Sequence, residues 1–225
     1  FDSAHSPDTL DCHPLVREHF GEKLRQQNPA AWQEAHGRLY EYYKKLPTQE
    51  LPDTLEEMEP LFAAVAHGCQ AGQHQEALDE VYYSRIQRDG RTNYCCEKLG
   101  TFGADLSALS NFFEVLWSQP ASGLTDQFKA VVLNWAGFGL RALGRLAEAS
   151  QPMQACIDLY KKKDEPREVA IAAGNLSELY LTLGEVSQAV SSARQSVDFA
   201  DRSGDELRRM GTRAQFATAL HQEWK

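Results

Sequence analysis

The sequence predicts an all-α protein, a right-handed superhelix of stacked antiparallel helix pairs, an α-solenoid. One amphipathic hairpin is written twice in a row: LRALGRLAEASQPM at 140–153 and LYLTLGEVSQAVSSA at 179–193 set Gly144 against Gly184 and Ala149 against Ala189, each 40 residues apart. A period of that length belongs to stacked helix pairs. Apolar residues at helical spacing lead into and out of each glycine. The first copy has Leu133, Ala136, Leu140 and Leu143, then Leu146, Ala149, Met153 and Ile157; the second has Ala173, Leu176, Tyr180 and Leu183, then Val186, Ala189, Ala193 and Val197. The glycine supplies the left-handed residue that ends a helix, and the alanine five residues later lets the two axes approach. A lone hairpin cannot bury its stripe, so neighbours must stack on it.

Taken in order, 1–10 is polar and turn-rich, and 9–12 reads as a short strand. Pro14 sits at a first helical position and starts a helix carrying Leu15, Val16, Phe20 and Leu24. Asn28 followed by Pro29 is an N-cap and first turn. The helix it opens carries Trp32, Ala35, Leu39, Tyr42 and Tyr43, with the aromatics in the core, and 46–52 breaks it. Thr54 with Glu57 forms a capping box. Pro60 then either kinks that helix or opens a new one at Glu59. An earlier hairpin spans 60–88, where Gly72 and Ala77 keep the five-residue interval. A degenerate helical unit fills 90–128 with Leu99, Phe102, Leu106, Leu109, Phe113 and Leu116; 88–93 is its exposed connection, and 118–124 is a loop.

Thr125 or Asp126 caps the first strong repeat helix, 161–165 is a solvated connection, and Pro166 starts the next helix. Asp205 caps a further helix in which Ala217 follows Ser177 by 40 residues. The sequence opens on Phe1 and ends at Trp224 and Lys225 within that unit, and reads as a fragment of something longer.

The 225 residues suffice for a sizeable core. With 23 basic against 32 acidic residues the net charge is −9, which argues against nucleic acid as a partner. No apolar run approaches the roughly 20 residues that span a bilayer, so no membrane partner is expected. Cys12, Cys69, Cys95, Cys96 and Cys156 form an odd set without metal or disulfide spacing, which reads as reduced thiols in a cytosolic, cytoplasmic protein. No metal or cofactor is expected. GFGLRALG at 137–144 lacks the third glycine of a dinucleotide loop and lies within a helix. There is no phosphate-binding G-x4-G-K-[ST] loop, no H-E-x2-H, no G-x-S-x-G and no C-x2-C. His67, Cys69 and His74 share one segment, but positions two apart on a helix point away from each other, so a packed cysteine and solvent-facing histidines are the expectation.

Gly137, Leu140, Ala149 and Met153, and then Leu176, Tyr180, Ala189 and Ala193, resemble the tetratricopeptide repeat in its long-period form from large signalling proteins. Leu133 and Ala173 stand where its Trp would be, and the closing Pro is missing. Cys12, His13, Pro14, Leu15, Val16 and Arg17 resemble the Met-His-Asp motif at the end of the winged-helix domain in the signal-transducing ATPases with numerous domains, bacterial ones in particular. The second resemblance implies that His13 senses bound ADP in the intact protein, although Pro14 replaces the Asp of plant members. The other reading of His13 is a cap on the helix that follows.

Together the resemblances divide the chain into a winged-helix tail with its last helix at 1–27, degenerate helical units at 28–128 and regular long-period repeats at 129–225. They imply a non-catalytic sensor arm. It would bind a protein or peptide trigger on its concave face and control a nucleotide-dependent switch upstream, its own nucleotide-binding domain being a further contact. The alternative is a free-standing adaptor or assembly scaffold. Residues of the first helices outside the buried stripe are the candidate partner contacts: Asn134, Phe138 and Arg141, then Asn175, Glu178 and Thr182. Asn175 suits a peptide backbone, Phe138 an apolar anchor and Arg141 a carboxylate. Gly139 marks the close approach of a ligand or of a neighbouring helix.

Overall fold

The computed structural model describes residues 2–3, 6–10, 13–90 and 94–223. It is an all-α stack of packed helix pairs that divides into two compact units, Phe1–Ile86 and Gln87–Lys225.

In the first unit the expected turn-rich start is a pair of antiparallel strands, β1 (Asp2–Ser3) and β2 (Ser6–Leu10). Backbone pairing satisfies the chain there whatever its side chains. The strand therefore begins earlier than the expected 9–12, and residues 11 and 12 lie outside the described residues. Helix α1 (Pro14–Gln27) buries none of its residues: Leu15, Val16, Phe20 and Leu24 are all exposed.

Asn28 caps α2 (Pro29–Lys45), its Oδ1 accepting from Ala31 N–H at 3.1 Å. The core phase of α2 differs from the expected one. Tyr40 is wholly buried, whereas Leu39 and Tyr42 face solvent. The reason lies in α3 (Leu55–Gln70), where Gly68 has no side chain and the Tyr40 ring lies 3.0 Å from where its Cβ would stand. The fully buried Met58, Leu61, Ala64 and Val65 of α3 continue this core.

Thr54 Oγ1 accepts from Glu57 N–H, and Glu57 reaches back to Asp53 N–H, one residue earlier than in a standard capping box. Pro60 neither breaks α3 nor opens a second helix. Gly72 (φ +80) turns the chain into α4 (His74–Glu76) and a π-helix, Ala77–Ile86, where an ordinary α-helix was expected. Ala77, Val81 and Ile86 are buried at spacings of four and five, which suits the wider i→i+5 coil.

The second unit begins irregularly. Gln87 is fully buried with its carboxamide on Asp105. Of the expected exposed connection 88–93, Asp89 is exposed but Arg88 is half-buried, and residues 91–93 lie outside the described residues. Helices α5 (Tyr94–Glu97) and α6 (Phe102–Ser110) follow. The helical apolar series expected to run on through Phe113 and Leu116 instead gives way to a hairpin, with β3 (Phe113–Val115) paired to β4 (Gln119–Pro120) inside the expected loop 118–124, and Leu116 is exposed. Asn111 stops α6: its Nδ2 donates to the carbonyls of Ser107 and Ala108, both at 3.0 Å, closing the helix end.

From Thr125 onward the repeat is regular. Helices α7 (Asp126–Ala142), α8 (Leu146–Lys162), α9 (Pro166–Leu183), α10 (Val186–Ser203) and α11 (Glu206–Glu223) each pack on the next, and α11 also lies on α9. Asp205 caps α11 through Arg208 N–H at 3.0 Å.

Left-handed residues fall at Gly144, Asp164, Gly184 and Gly204, one every 20 residues. At the first three, the left-handed N–H reaches the carbonyl three residues back and the next N–H the carbonyl five residues back, the paired bonds of a Schellman turn. Packing repeats with the same offset. Cys156 Sγ lies 3.8 Å from Ala130 O, and forty residues on Ser196 Oγ donates to Ala170 O at 2.7 Å. A Cβ on Gly137 would meet Met153 Cγ at 2.8 Å, and at the equivalent place Ser177 Oγ donates to Ala189 O.

Candidate functional site

Asn134, Phe138 and Arg141 follow each other at intervals of four and three along α7, so one face presents all three. Asn175 occupies the facing stretch of α9. These four expected contacts, with Glu97 from α5, Trp135 and Gly137 from α7 and Met153 from α8, line one cavity of about 340 Å³. That volume lies in the range of ligand clefts, about 300–1,000 Å³. Asn134 and Phe138 are exposed, and Arg141 and Asn175 half-buried. Gly137 opens the floor, because a side chain there would collide with Met153.

The other two expected contacts are engaged elsewhere. Glu178 accepts from Gln215 Nε2 at 2.8 Å, and Thr182 Oγ1 donates to its own helix at Glu178 O. Gly139 marks a neighbouring helix, since its Cβ would lie 3.1 Å from the Leu106 side chain of α6. Glu97, Trp135, Gly137 and Met153 were not singled out as contacts. The spacing of Asn134, Phe138 and Arg141 brackets Trp135 and Gly137, but nothing in the irregular 90–128 stretch points to Glu97.

His67 does not face solvent as expected. Its Nδ1 lies 2.8 Å from Nδ1 of His36, and its ring stacks on Tyr43, while His36 tilts over Trp32. One of the two Nδ1 atoms must carry the hydrogen and the other accept it. Burial, with the neighbouring His36 adding to it, pushes the His67 pKa down to about 4; burial also lowers that of His36. Cys69, Cys95, Cys96 and Cys156 are buried and form no disulfide among the described residues. Burial raises the pKa of each, to about 12 for Cys95 and Cys156, so these sulfurs stay protonated at neutral pH. Among the described residues no three or more His, Cys, Asp or Glu side chains gather as a metal site, and no helix is long and apolar enough to cross a membrane.

At the start of α1, Leu15 N–H donates to Nδ1 of exposed His13 at 3.3 Å, so a neutral ring carries its hydrogen on Nε2. No known protein family, curated protein or solved structure matches the chain.

Proposed function

We propose that this chain is the sensor arm of a cytoplasmic signalling ATPase and binds a protein or peptide segment between α7 and α9. The arm performs no chemistry; occupancy of the groove shifts a nucleotide-dependent switch upstream of it. The observation that carries this reading is the convergence of Asn134, Phe138, Arg141 and Asn175 on one cavity. Two carboxamides suit an extended backbone, and an exposed phenyl ring beside a guanidinium supplies an anchor and a charge.

His13 fits the switch half of the proposal. With Nδ1 occupied by the helix start, its Nε2–H is the group left to meet a nucleotide phosphate. The uncovered Leu15 and Phe20 of α1, 68% and 60% exposed, favour a helix that docks on another domain over the free-standing adaptor.

The test is an array of overlapping peptides from the host proteome, probed with the wild-type chain and with Asn134→Ala/Asn175→Ala at equal helical circular dichroism. Peptides bound by the wild type and lost by the variant are the expected result. An identical pattern from both chains, or an array with no binder, overturns the groove assignment.

A further inference from the structure

The 40-residue repeat supplies an internal comparison for the groove. Forty residues on from Asn134, Phe138, Arg141 and Asn175 stand Gly174, Glu178, Leu181 and Gln215. In this second groove, between α9 and α11, the chain fills its own space. Gln215 Nε2 donates to Glu178 Oε1 at 2.8 Å, and Gln215 Oε1 occupies the room that Gly174 leaves, 2.6 Å from where a Cβ would stand.

The first groove has the opposite composition. Asn134 replaces the glycine, Phe138 replaces the carboxylate, and Asn175 is one methylene shorter than Gln215. Asn134, Arg141, Asn175 and Glu97 make no side-chain hydrogen bond or ion pair among the described residues. Among the described residues, the charged and carboxamide side chains of the cavity are thus one cation, one anion and two carboxamides, each without a side-chain partner.

Charge narrows the occupant. A purely acidic segment would meet Glu97 and a net charge of −9; a purely basic one would cover Arg141 and leave it unpaired. A segment with both signs satisfies both walls. Resting on the sensor-arm reading, we propose that the α7/α9 groove receives one extended partner segment carrying an acidic side chain next to a basic one. Arg141 takes the carboxylate, Glu97 takes the cation, and Asn134 and Asn175 hold the backbone amides. The α9/α11 groove, closed by Gln215 and Glu178, takes no ligand, so the arm reads one short segment.

The chain has three methionines, each in a different setting: Met153 in the cavity, Met58 in the core of the first unit and Met210 on the surface of α11. Their ε-methyl NMR signals report binding with two internal controls. The probes are four capped tetrapeptides: Ala-Glu-Lys-Ala, the same peptide with Glu replaced by Gln, with Lys replaced by Gln, and with both replaced.

The Glu-Lys peptide is expected to shift Met153 saturably while Met58 and Met210 stay still, each single replacement weakening binding roughly tenfold. Arg141→Gln should erase the preference for Glu and keep that for Lys; Glu97→Gln should do the reverse. Asn134→Gly/Phe138→Glu/Asn175→Gln, which writes the three residues that close the second groove into the first, should silence all four peptides. The proposal is overturned if no peptide moves Met153, if the peptide lacking both charges binds as well as Glu-Lys, or if either preference survives the loss of its partner residue. In each of those cases the sensor-arm reading still stands if array peptides bind and depend on Asn134 and Asn175.

Discussion

Gly137 lies inside α7 and Gly144 in the turn after it, and replacing either with alanine costs stability by a different route. Gly144 has φ +72 and nothing within 4 Å of a built Cβ, so Gly144→Ala meets only backbone strain, about 1 kcal/mol. Gly137 has helical dihedrals, but its methyl would press on Met153, an overpacking of about 1–3 kcal/mol. Met153→Ala should therefore partly rescue Gly137→Ala and leave Gly144→Ala unchanged, as read from urea midpoints; equal rescue of both would refute the distinction. The His36–His67 pair predicts a pH dependence. Both folded pKa values lie below the usual 6.5, so the unfolded chain takes up protons first as pH falls. Stability from this pair is complete above about 6.5 and is lost toward about 4. His67→Phe, which keeps a ring on Tyr43, should flatten most of that slope; an unchanged slope would place its origin in other groups.

Among the elements, the helix-to-helix contacts repeat closely enough to exchange residues between copies. Ser196→Ala removes the bond to Ala170 O and should cost about 1 kcal/mol. Ser196→Cys should cost clearly less, because Cys156 holds the equivalent place against Ala130 O; a cysteine variant as weak as the alanine one would show that the two contacts are not alike. Such regularity is why α7 to α10 were legible from spacing alone. Legibility failed where one element's phase depended on another. Tyr40 faces inward because Gly68 of α3 makes room for it, a fact absent from the α2 sequence. The hairpin after Asn111 likewise depends on backbone pairing that apolar spacing does not encode. In the site, Asn134, Phe138, Arg141 and Asn175 were readable as unburied positions of first helices. Glu178 was readable on the same terms, but the reach of Gln215 from α11 was not.

At the scale of the whole molecule, the two compact units should answer acid separately. A urea transition followed at the Met58 methyl should move to lower midpoint between about pH 7 and about pH 5, while that at Met153 moves less, because the histidine pair belongs to the first unit. A common shift at both methyls would mean that the units unfold together. The left-handed residues at 144, 164, 184 and 204 carry a further consequence. They make the second unit a ruler graduated in steps of one helix, with each contact between helices fixed by its distance from two marks. One residue added inside a helix turns every later side chain of that helix by about 100° and puts it out of phase with both neighbours. Length change is therefore tolerable only between graduations, or as a whole helix pair. A chain built this way changes reach by copying and recognition by respelling one interval, as the differences between its own two grooves record.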